Sequence, residues 1–190
     1  MDTKINTRLI GICGPAGSGK STAAYFFVKQ GWTHMKMAQP LKGMLAHLLT
    51  LVGYTPFDRE DMLEGGLKEA HIPNLGTTPR HLMQTLGTEW GRDCHGEDFW
   101  VNIAEAHIRN LSAIDRVNIV IDDIRFENEA SMIRRLGGSV LHISRSKLPH
   151  MGHRDHISEA PLKYGAGDMI INNNSTVGNL YETLGVITGH

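Results

Sequence analysis

The stretch Leu9-Ile-Gly-Ile-Cys-Gly-Pro-Ala-Gly-Ser-Gly-Lys-Ser-Thr22 decides the fold. It contains the spacing of a P-loop, a glycine followed by four residues and then Gly-Lys-Ser, at Gly14, Gly19, Lys20 and Ser21. Apolar residues precede the glycines, as expected of a buried strand, and a segment without helix breakers follows them. The sequence therefore predicts a strand, a phosphate-binding loop and a helix in direct succession.

The predicted loop has the chemistry needed to hold the phosphates of a nucleotide. Glycines let the backbone wrap closely around an anion, and the N-terminus of the following helix presents unpaired N–H groups and a positive dipole end to it. A lysine can follow the β- and γ-phosphates, and a serine hydroxyl can bind Mg²⁺. The alternative is a turn rich in glycine and serine that binds nothing. The residues predicted to bind the nucleotide are Gly14, Ala16, Gly17, Ser18, Gly19, Lys20, Ser21 and Thr22, with Ser21 also a predicted Mg²⁺ ligand.

Length and composition limit the classes of protein to consider. The 190 residues fit one domain, 41% of them are hydrophobic, and the net charge of −1 gives no bulk basic surface for nucleic acid. Cys13 and Cys94 are too few for a disulfide framework and are expected to be free thiols. No run of residues resembles a signal peptide or a membrane span. We expect a cytoplasmic protein that binds neither membrane nor nucleic acid directly.

The pattern of apolar residues along the chain predicts alternating strands and helices. Strands are expected at Leu9–Cys13, Thr33–Met37, Val117–Asp123, Ser139–Ile143 and Asp168–Asn172. Helices are expected at Ser21–Gln30, Pro40–Val52, from Pro79 onward, over Trp100–Leu111, before the pair Gly137-Gly138, and around Val177–Leu184. This alternation is typical of an α/β fold whose parallel sheet is covered by helices on both faces.

Two segments between the second and third strands lack a clear pattern of regular structure. Tyr54–Gly76 is polar and contains several prolines and glycines, so we expect a loop there with room for one helical turn. Gly87–Arg92 is expected to interrupt the helix that begins at Pro79.

Charged residues follow the third strand, where a parallel α/β sheet places its ligands. A carboxylate of Asp122 or Asp123 can hold a Mg²⁺-bound water, and the fork of Arg125 can bind a phosphate. The two acids can instead cap the next helix, with Arg125 as their partner at the surface. Residues Asn172–Thr176, just after the fifth strand, lie at the same predicted edge of the sheet, and Asn173 among them is a candidate contact for the nucleotide.

A second group of candidates lies between the second and third strands. The cations Lys42, Arg80 and Arg92 can supply forks or point charges for a second phosphate, and Trp90 can supply a flat surface for a base. Each cation alone is more typical of a solvated surface charge, and Trp100 is expected to lie in the core.

The polar segment Ser144–Tyr164 carries a third group of basic residues. Arg145, Lys147 and Arg154 can close over a triphosphate, where they would neutralise charge and exclude water. An exposed loop with ordinary charges is the alternative. The segment also has three histidines at three-residue spacing, for which a metal site is disfavoured because no cysteine lies near and proline and glycine interrupt the segment. They are His150, His153 and His156.

Several motifs together resemble a known family. Besides the P-loop they are Ala38-Gln-Pro-Leu-Lys42, Thr78-Pro-Arg80, Gln84-Thr-Leu-Gly-Thr-Glu-Trp-Gly-Arg92, Asp123-Ile-Arg-Phe126 with Asn128-Glu129, and His156-Ile-Ser-Glu159. In this order, from about Leu9 to the last helix, they resemble the deoxynucleoside monophosphate kinases of tailed bacteriophages. The P-loop is shared by many NTPases, whereas the Thr-Pro-Arg, Leu-Gly-Thr-Glu and Asp-x-Arg-Phe blocks are far more specific.

The resemblance implies a P-loop nucleoside monophosphate kinase fold. Its five-stranded parallel core would comprise residues 8–37, 116–143 and 165–190, its monophosphate-binding insertion residues 38–115, and its lid residues 144–164. The implied reaction is phosphoryl transfer from ATP to a deoxynucleoside 5′-monophosphate. The P-loop departs from the Gly-x-Pro-Gly-x-Gly-Lys-Gly-Thr form of the adenylate kinases. The lid is short and rich in histidine, so its arginines are assigned less firmly by the resemblance.

The resemblance also implies roles for individual residues. Lys20 and the P-loop amides would bind the donor phosphates, and Ser21 with Asp122 or Asp123 would order Mg²⁺ and its water shell. Arg80 and Arg125 would hold the acceptor phosphate in line, and Arg145 and Arg154 would neutralise the moving phosphoryl group. The remaining predicted contacts of the acceptor are Lys42, Gln84 and Trp90.

Other functions and assemblies stay open at this point. A dephospho-coenzyme A kinase or another small-molecule kinase shares a P-loop and a lid, and a P-loop NTPase that regulates an assembly would hydrolyse ATP without an acceptor. The apolar positions of Pro40–Val52 can form either a homodimer face or part of the core.

Overall fold

The computed structural model describes residues 7–114, 117–146 and 162–188 and contains one five-stranded sheet. The strands are β1 (Leu9–Cys13), β2 (Thr33–Lys36), β3 (Ile119–Asp122), β4 (Ser139–Ser144) and β5 (Met169–Asn172). Their order across the sheet is β2-β3-β1-β4-β5, and all four neighbouring pairs are parallel. The predicted five-stranded parallel α/β sheet is therefore confirmed.

Helices connect these strands and fill the segment between β2 and β3. They are α1 (Lys20–Lys29), α2 (Gln39–Leu51), α3 (Pro56–Leu63), a 3₁₀-helix (Gly66–Glu69), α4 (Pro79–Thr85), a π-helix (Leu86–Cys94), α5 (Phe99–Ile114), α6 (Glu127–Arg135) and α7 (Val177–Thr188). Among the described residues, no helix has the length and hydrophobicity required to cross a membrane.

Helices cover both faces of the sheet, as the sequence predicts. On one face, alternate residues of the strands such as Ile12 and Leu141 share a buried cluster with Phe27 of α1 and Leu184 of α7. On the other face α6 packs so closely that a Cβ added to Gly11 would lie 2.3 Å from the Cδ1 atom of Ile133. Because successive strand residues point to opposite faces, the uninterrupted apolar strands are buried on both sides.

The chain forms two compact units. One comprises Met1–Met37 with Glu105–His190 and contains the sheet, and the other comprises Ala38–Ala104. The second unit has its own core, with Trp100 only 6% exposed, so the expectation that Trp100 is a core residue is confirmed. The buried members of that core are Leu41, Leu45, Leu49, Met62, Leu63, Ile72 and Trp100.

The segment predicted as a loop between Tyr54 and Gly76 is mostly helical, so that prediction was wrong. Thr55 caps α3 by accepting from the backbone N–H of Asp58, whose carboxylate accepts in turn from the Thr55 N–H. Pro56 occupies the first turn, where its missing N–H costs nothing. Only Met62 and Leu63 of α3 are buried, and two adjacent residues are too few to give an apolar periodicity.

The predicted break at Gly87–Arg92 is also wrong, because a π-helix continues α4 through Leu86–Cys94. A Cβ added to Gly91 would lie 2.2 Å from the Nε1 atom of Trp100, and this indole donates a 2.8 Å hydrogen bond to the carbonyl of Gly87. The glycines here therefore serve close helix packing instead of ending a helix. Wide helical turns of this kind are rare and often mark functional sites.

The amphipathic helix α2 divides its apolar residues between the core and the surface. Leu41, Leu45 and Leu49 are buried, whereas Met44 is 46% and Leu51 71% exposed. The homodimer face suggested for this helix stays a prediction.

Candidate active site

The turn between β1 and α1 has a backbone that only glycine adopts readily. Gly14, Gly17 and Gly19 have φ angles of 144°, 76° and 106°. A Cβ on Gly14 would lie 2.1 Å from the carbonyl oxygen of Ile143, so no side chain fits there. The spacing seen in the sequence therefore corresponds to a tight loop at the carboxyl end of the central strand.

The first turn of α1 presents free backbone donors. Its first helical hydrogen bond runs from the N–H of Ala23 to the carbonyl of Gly19, so the preceding amides of Lys20, Ser21 and Thr22 have no intrahelical acceptor. Among the described residues no side chain caps this end, and the first turn contains no acidic residue. Unpaired amides and the positive end of the helix dipole together favour an anion such as phosphate.

A cavity of about 320 Å³ opens in front of these amides. Seven residues that the sequence analysis assigned to the nucleotide line it, namely Gly17, Gly19, Lys20, Ser21, Thr22, Arg145 and Asn173. Ser175, which also lines the cavity, lies in the candidate stretch Asn172–Thr176 after β5. Two further lining residues were not predicted, because Val177 and Leu180 belong to an apolar helix pattern that predicts only packing.

Three predicted nucleotide contacts do not line the cavity. Ala16 is exposed, Gly14 offers its carbonyl to Lys20, and Ser18 is fully buried. The Ser18 hydroxyl has no hydrogen-bond partner among the described residues. The Ser18 carbonyl accepts a 2.8 Å hydrogen bond from the side-chain amide of Asn173, which fastens the loop to the end of β5.

Lys20 is held by groups of its own unit. Its Nζ atom donates to the carbonyls of Gly14 at 2.7 Å and Pro15 at 3.1 Å, and lies 3.5 Å from the Oδ1 atom of Asp123. The Oδ2 atom of Asp123 accepts from Arg125 at 2.5 and 2.9 Å. Burial opposes ionisation of Asp123, but Arg125 and then Lys20 outweigh it and hold the pKa of this carboxyl below its ordinary value.

Asp122, the last residue of β3, has a different environment from Asp123. It is 9% exposed, and its Oδ1 atom lies 3.0 Å from the Nε2 atom of His34 on β2. Although His34 lies this near, the Oδ1 atom has no hydrogen-bonding partner among the described residues. The sequence left both carboxylates as candidates for ordering Mg²⁺. Asp123 faces two cations, whereas Asp122 has an oxygen whose lone pairs can bind a metal ion.

Comparison with known proteins decides the family. A family model for deoxynucleotide monophosphate kinase matches residues 71–184. A deoxynucleotide monophosphate kinase-like protein of Acanthamoeba polyphaga mimivirus is 30% identical in an alignment that covers 93% of this chain and 93% of its own. The chain belongs to the deoxynucleotide monophosphate kinase family.

Relatives from phages carry the same family name. The deoxynucleotide monophosphate kinase of Escherichia phage RB69 is 31% identical over 62% of this chain and 48% of its own length. That of Enterobacteria phage T4 is 29% identical over 55% of this chain and 43% of its own length. The chain thus matches less than half of these two relatives. Among solved structures, an unliganded sugar kinase from Janibacter sp. HTCC2649 has a TM-score of 0.46 and 14% identity over 96% of this chain and 95% of that chain, which is too distant to support an inference.

Four of the residues predicted to bind the acceptor lie in the unit Ala38–Ala104 of this kinase-family chain. The Nζ atom of Lys42 is 2.8 Å from Glu64, and Arg80 donates to Glu69. Gln84 is exposed on α4. Trp90 is 39% exposed and has edge contacts with neighbouring rings, those of His95 and Phe99. The fifth predicted residue, Arg125, belongs to the unit that contains the sheet.

The predicted lid lies largely outside the described residues. Lys147, Arg154 and the three histidines fall there, so the closure of this segment stays a prediction. The carboxyl end of β4 is hydrogen-bonded to that of β5. The Ser144 hydroxyl donates to Asn172 at 2.7 Å, and the backbone N–H of Ser146 donates to Asn174 at 2.8 Å. Arg145, between these two bonds, lines the cavity.

A buried polar chain behind the P-loop was not foreseen. The Cys13 thiol lies 3.1 Å from the Nδ1 atom of His142, whose Nε2 atom lies 3.1 Å from the Oδ2 atom of Asp168. Burial, reinforced by the charge of Asp168, raises the pKa of Cys13 to about 11. Despite its similarity to a Cys-His-Asp catalytic triad, this thiol is therefore protonated and inert.

We expect the two cysteines to differ sharply in reactivity. Cys94 is exposed and Cys13 is buried, and both are free. Titration with a coloured thiol reagent near neutral pH should modify one thiol in the native protein and two after unfolding, because only a thiolate reacts. The variant Cys94→Ser should show no rapid reaction. Rapid modification of Cys13 in this folded variant would contradict the assignment.

Proposed function

We propose that this protein transfers the γ-phosphoryl group of ATP to the phosphate of a deoxynucleoside 5′-monophosphate. An oxygen of the acceptor phosphate forms the new bond to phosphorus while the bond to the leaving ADP breaks, which yields a deoxynucleoside diphosphate. The observation that carries the proposal is the cavity in front of the uncapped amides of α1, lined by Lys20 and Arg145, in a chain of this family. The family does not favour the other two functions considered for the sequence.

The part of the proposed site that binds ATP consists of backbone amides and cations that attract phosphate. The amides of Lys20, Ser21 and Thr22 would bind the phosphates, and the Lys20 ammonium would follow the β- and γ-phosphates. Arg145 lines the same cavity and would stabilise the negative charge of the phosphoryl group in the transition state. Such a site needs no protein nucleophile, since positioning and charge stabilisation account for most of this kind of catalysis.

Two oxygen donors among the predicted residues fit Mg²⁺. Ser21 lines the cavity, and the buried Oδ1 atom of Asp122 has no hydrogen-bonding partner among the described residues. The part of the chain that the structure describes contains no group of three or more His, Cys, Asp or Glu side chains that could hold a metal. Mg²⁺ in phosphoryl-transfer sites is usually held by one or two protein oxygens together with the substrate phosphates. When bound, the ion neutralises charge on the phosphates, and Ser21 and Asp122 would hold it.

The acceptor would be bound by cations and a flat ring. Arg80 and Arg125 can each present two parallel N–H donors to a phosphate, and Lys42 can add a point charge. Trp90 offers a partly exposed ring for a base, and Gln84 an exposed amide. These assignments are supported by residue chemistry and by the family motifs.

A panel of acceptors tests the proposed function directly. The protein is incubated with ATP and Mg²⁺ and each deoxynucleoside monophosphate, each ribonucleoside monophosphate or dephospho-coenzyme A, and the products are separated by chromatography. We expect ADP and a deoxynucleoside diphosphate in equal amounts. ADP formed equally well without any acceptor would indicate an NTPase, and phosphorylation of dephospho-coenzyme A alone would indicate the other kinase.

Replacement of either arginine predicted to bind the acceptor should weaken use of the deoxynucleotide but not binding of ATP. Arg80→Ala and Arg125→Ala should each raise KM for the deoxynucleotide, or lower kcat, by about tenfold or more, with little change in ATP affinity. Arg109→Ala, which removes an arginine paired with Glu105 within α5, is the matched control and should leave both constants unchanged. An equal loss of ATP binding would move the affected arginine to the donor side.

A further inference from the structure

The carboxylate of Asp123 pairs with two of the cations that would bind phosphate in the proposed function. Lys20 lies 3.5 Å from one oxygen of Asp123, and Arg125 donates two hydrogen bonds to the other oxygen. The Asp123 side chain is 42% exposed, and that of Lys20 is 13% exposed. Asp123 therefore sits at the mouth of the site, between a donor-side and an acceptor-side cation.

The backbone holds Asp123 in this place at a conformational cost. Its φ of 62° is in the left-handed region, and among the described residues no other non-glycine residue has a positive φ. Such a conformation persists where neighbouring bonds impose it. The N–H of Ile124 donates to the carbonyl of Ile12, and the buried carboxylate of Glu129 accepts from the N–H groups of Arg125 and Phe126. These bonds hold the turn between β3 and α6 against β1 on one side and against α6 on the other.

The ammonium of Lys20 already faces three oxygen atoms in this arrangement. The carbonyls of Gly14 and Pro15 and the Oδ1 atom of Asp123 lie 2.7, 3.1 and 3.5 Å from its Nζ atom, and a lysine has only three N–H donors. A phosphate that binds to the amides of α1 would therefore compete with these partners for the ammonium. Asp123 is the most distant of the three and the only one whose negative charge would repel the incoming phosphate.

We propose that Asp123 is an internal counterion, which pairs with Lys20 and Arg125 in the empty protein and gives them up to the phosphates of the substrates. This inference rests on the proposed function and makes Asp123 a positioning residue. Substrate phosphates would replace one anion by another, so the two cations would be neutralised both before and after binding. The return of Asp123 to Lys20 would likewise help the diphosphate product to leave.

Binding of a polyphosphate in the absence of metal shows whether Asp123 acts as a counterion or orders a metal ion. Inorganic tripolyphosphate is titrated into the protein in the presence of EDTA, and the heat of binding gives Kd. Asp123→Asn removes the charge but keeps a side chain that tolerates the left-handed region, and Asp123→Gly removes charge and strain together. Both variants should bind tripolyphosphate about five- to twentyfold more tightly than the wild type, and the gain should shrink as salt is added.

The matched control is a substitution outside the proposed site that changes the net charge of the protein by the same amount. Glu105→Gln removes a carboxylate that pairs with Arg109 and Arg135, and it should leave tripolyphosphate affinity unchanged. Unchanged or weaker binding by both Asp123 variants in EDTA would overturn the inference, and weaker binding seen only with Mg²⁺ present would assign Asp123 to the metal. A wild-type protein that binds neither tripolyphosphate in EDTA nor ATP with Mg²⁺ would overturn the proposed function and this inference with it.

Discussion

Lys20→Ala should lower turnover about a hundredfold or more while the fold survives, because it removes a charge contact to the phosphoryl group in the transition state. The structure explains why the effect should be catalytic. Among the described residues, the side chain contacts the carbonyls of Gly14 and Pro15 and the carboxylate of Asp123. Truncation leaves these groups open to water, so we expect little change in thermal unfolding. Steady-state kinetics with ATP and a deoxynucleotide measures the loss.

The control for this substitution lies on the same helix. Lys29 is fully exposed in the last turn of α1, with its ammonium 5.3 Å from the centre of the Tyr25 ring, so Lys29→Ala should keep full turnover. Lys20→Arg should recover only part of the activity, because a planar fork cannot take the place of a compact ammonium. Near-normal turnover by a well-folded Lys20→Ala protein would refute the P-loop mechanism.

The features that the sequence predicted correctly depend on local patterns. The P-loop is a run of adjacent residues whose glycines and helix start serve one purpose, and strands such as Ile119–Asp122 are continuous apolar runs because both faces of the sheet are covered. The helix α3 was missed because its apolar residues are few, although the capping pair Thr55 and Asp58 was visible. A search for caps as well as periodicity would have found it.

The counterions of the site could not be predicted, since they depend on contacts between distant parts of the chain. Lys20 and Asp123 meet only because β1 and β3 are neighbours in the sheet. Lys42 pairs with Glu64 and Arg80 with Glu69, two carboxylates in the segment expected to be a loop. The sequence showed cations suited to phosphate, whereas the structure shows that four of them, Lys20, Lys42, Arg80 and Arg125, already face carboxylates of their own units.

Asp168→Asn should lower the free energy of unfolding at pH 7 by about 3 kcal/mol or more, because it leaves buried donors without their charged acceptor. The side chain of Asp168 is 2% exposed. It accepts hydrogen bonds from the guanidinium of Arg134 and from the backbone N–H groups of Val140 and Gly165, and it lies beside His142. Urea unfolding followed by circular dichroism measures the difference. Asp58→Asn, at an exposed helix cap, should cost only about 1 kcal/mol.

The same carboxylate predicts how this difference depends on pH. Burial opposes ionisation of Asp168, but Arg134 and then the N–H of Gly165, His142 and the N–H of Val140 outweigh it and hold its pKa far below the ordinary value. The stabilisation is therefore fully present above the pKa of an unfolded aspartate, about 3.9, and is lost as the pH falls below that value. The variant lacks this titration, so the gap between the two proteins should narrow from pH 5 to about pH 3. A gap that stays constant over this range would show that Asp168 does not stabilise the fold as an anion.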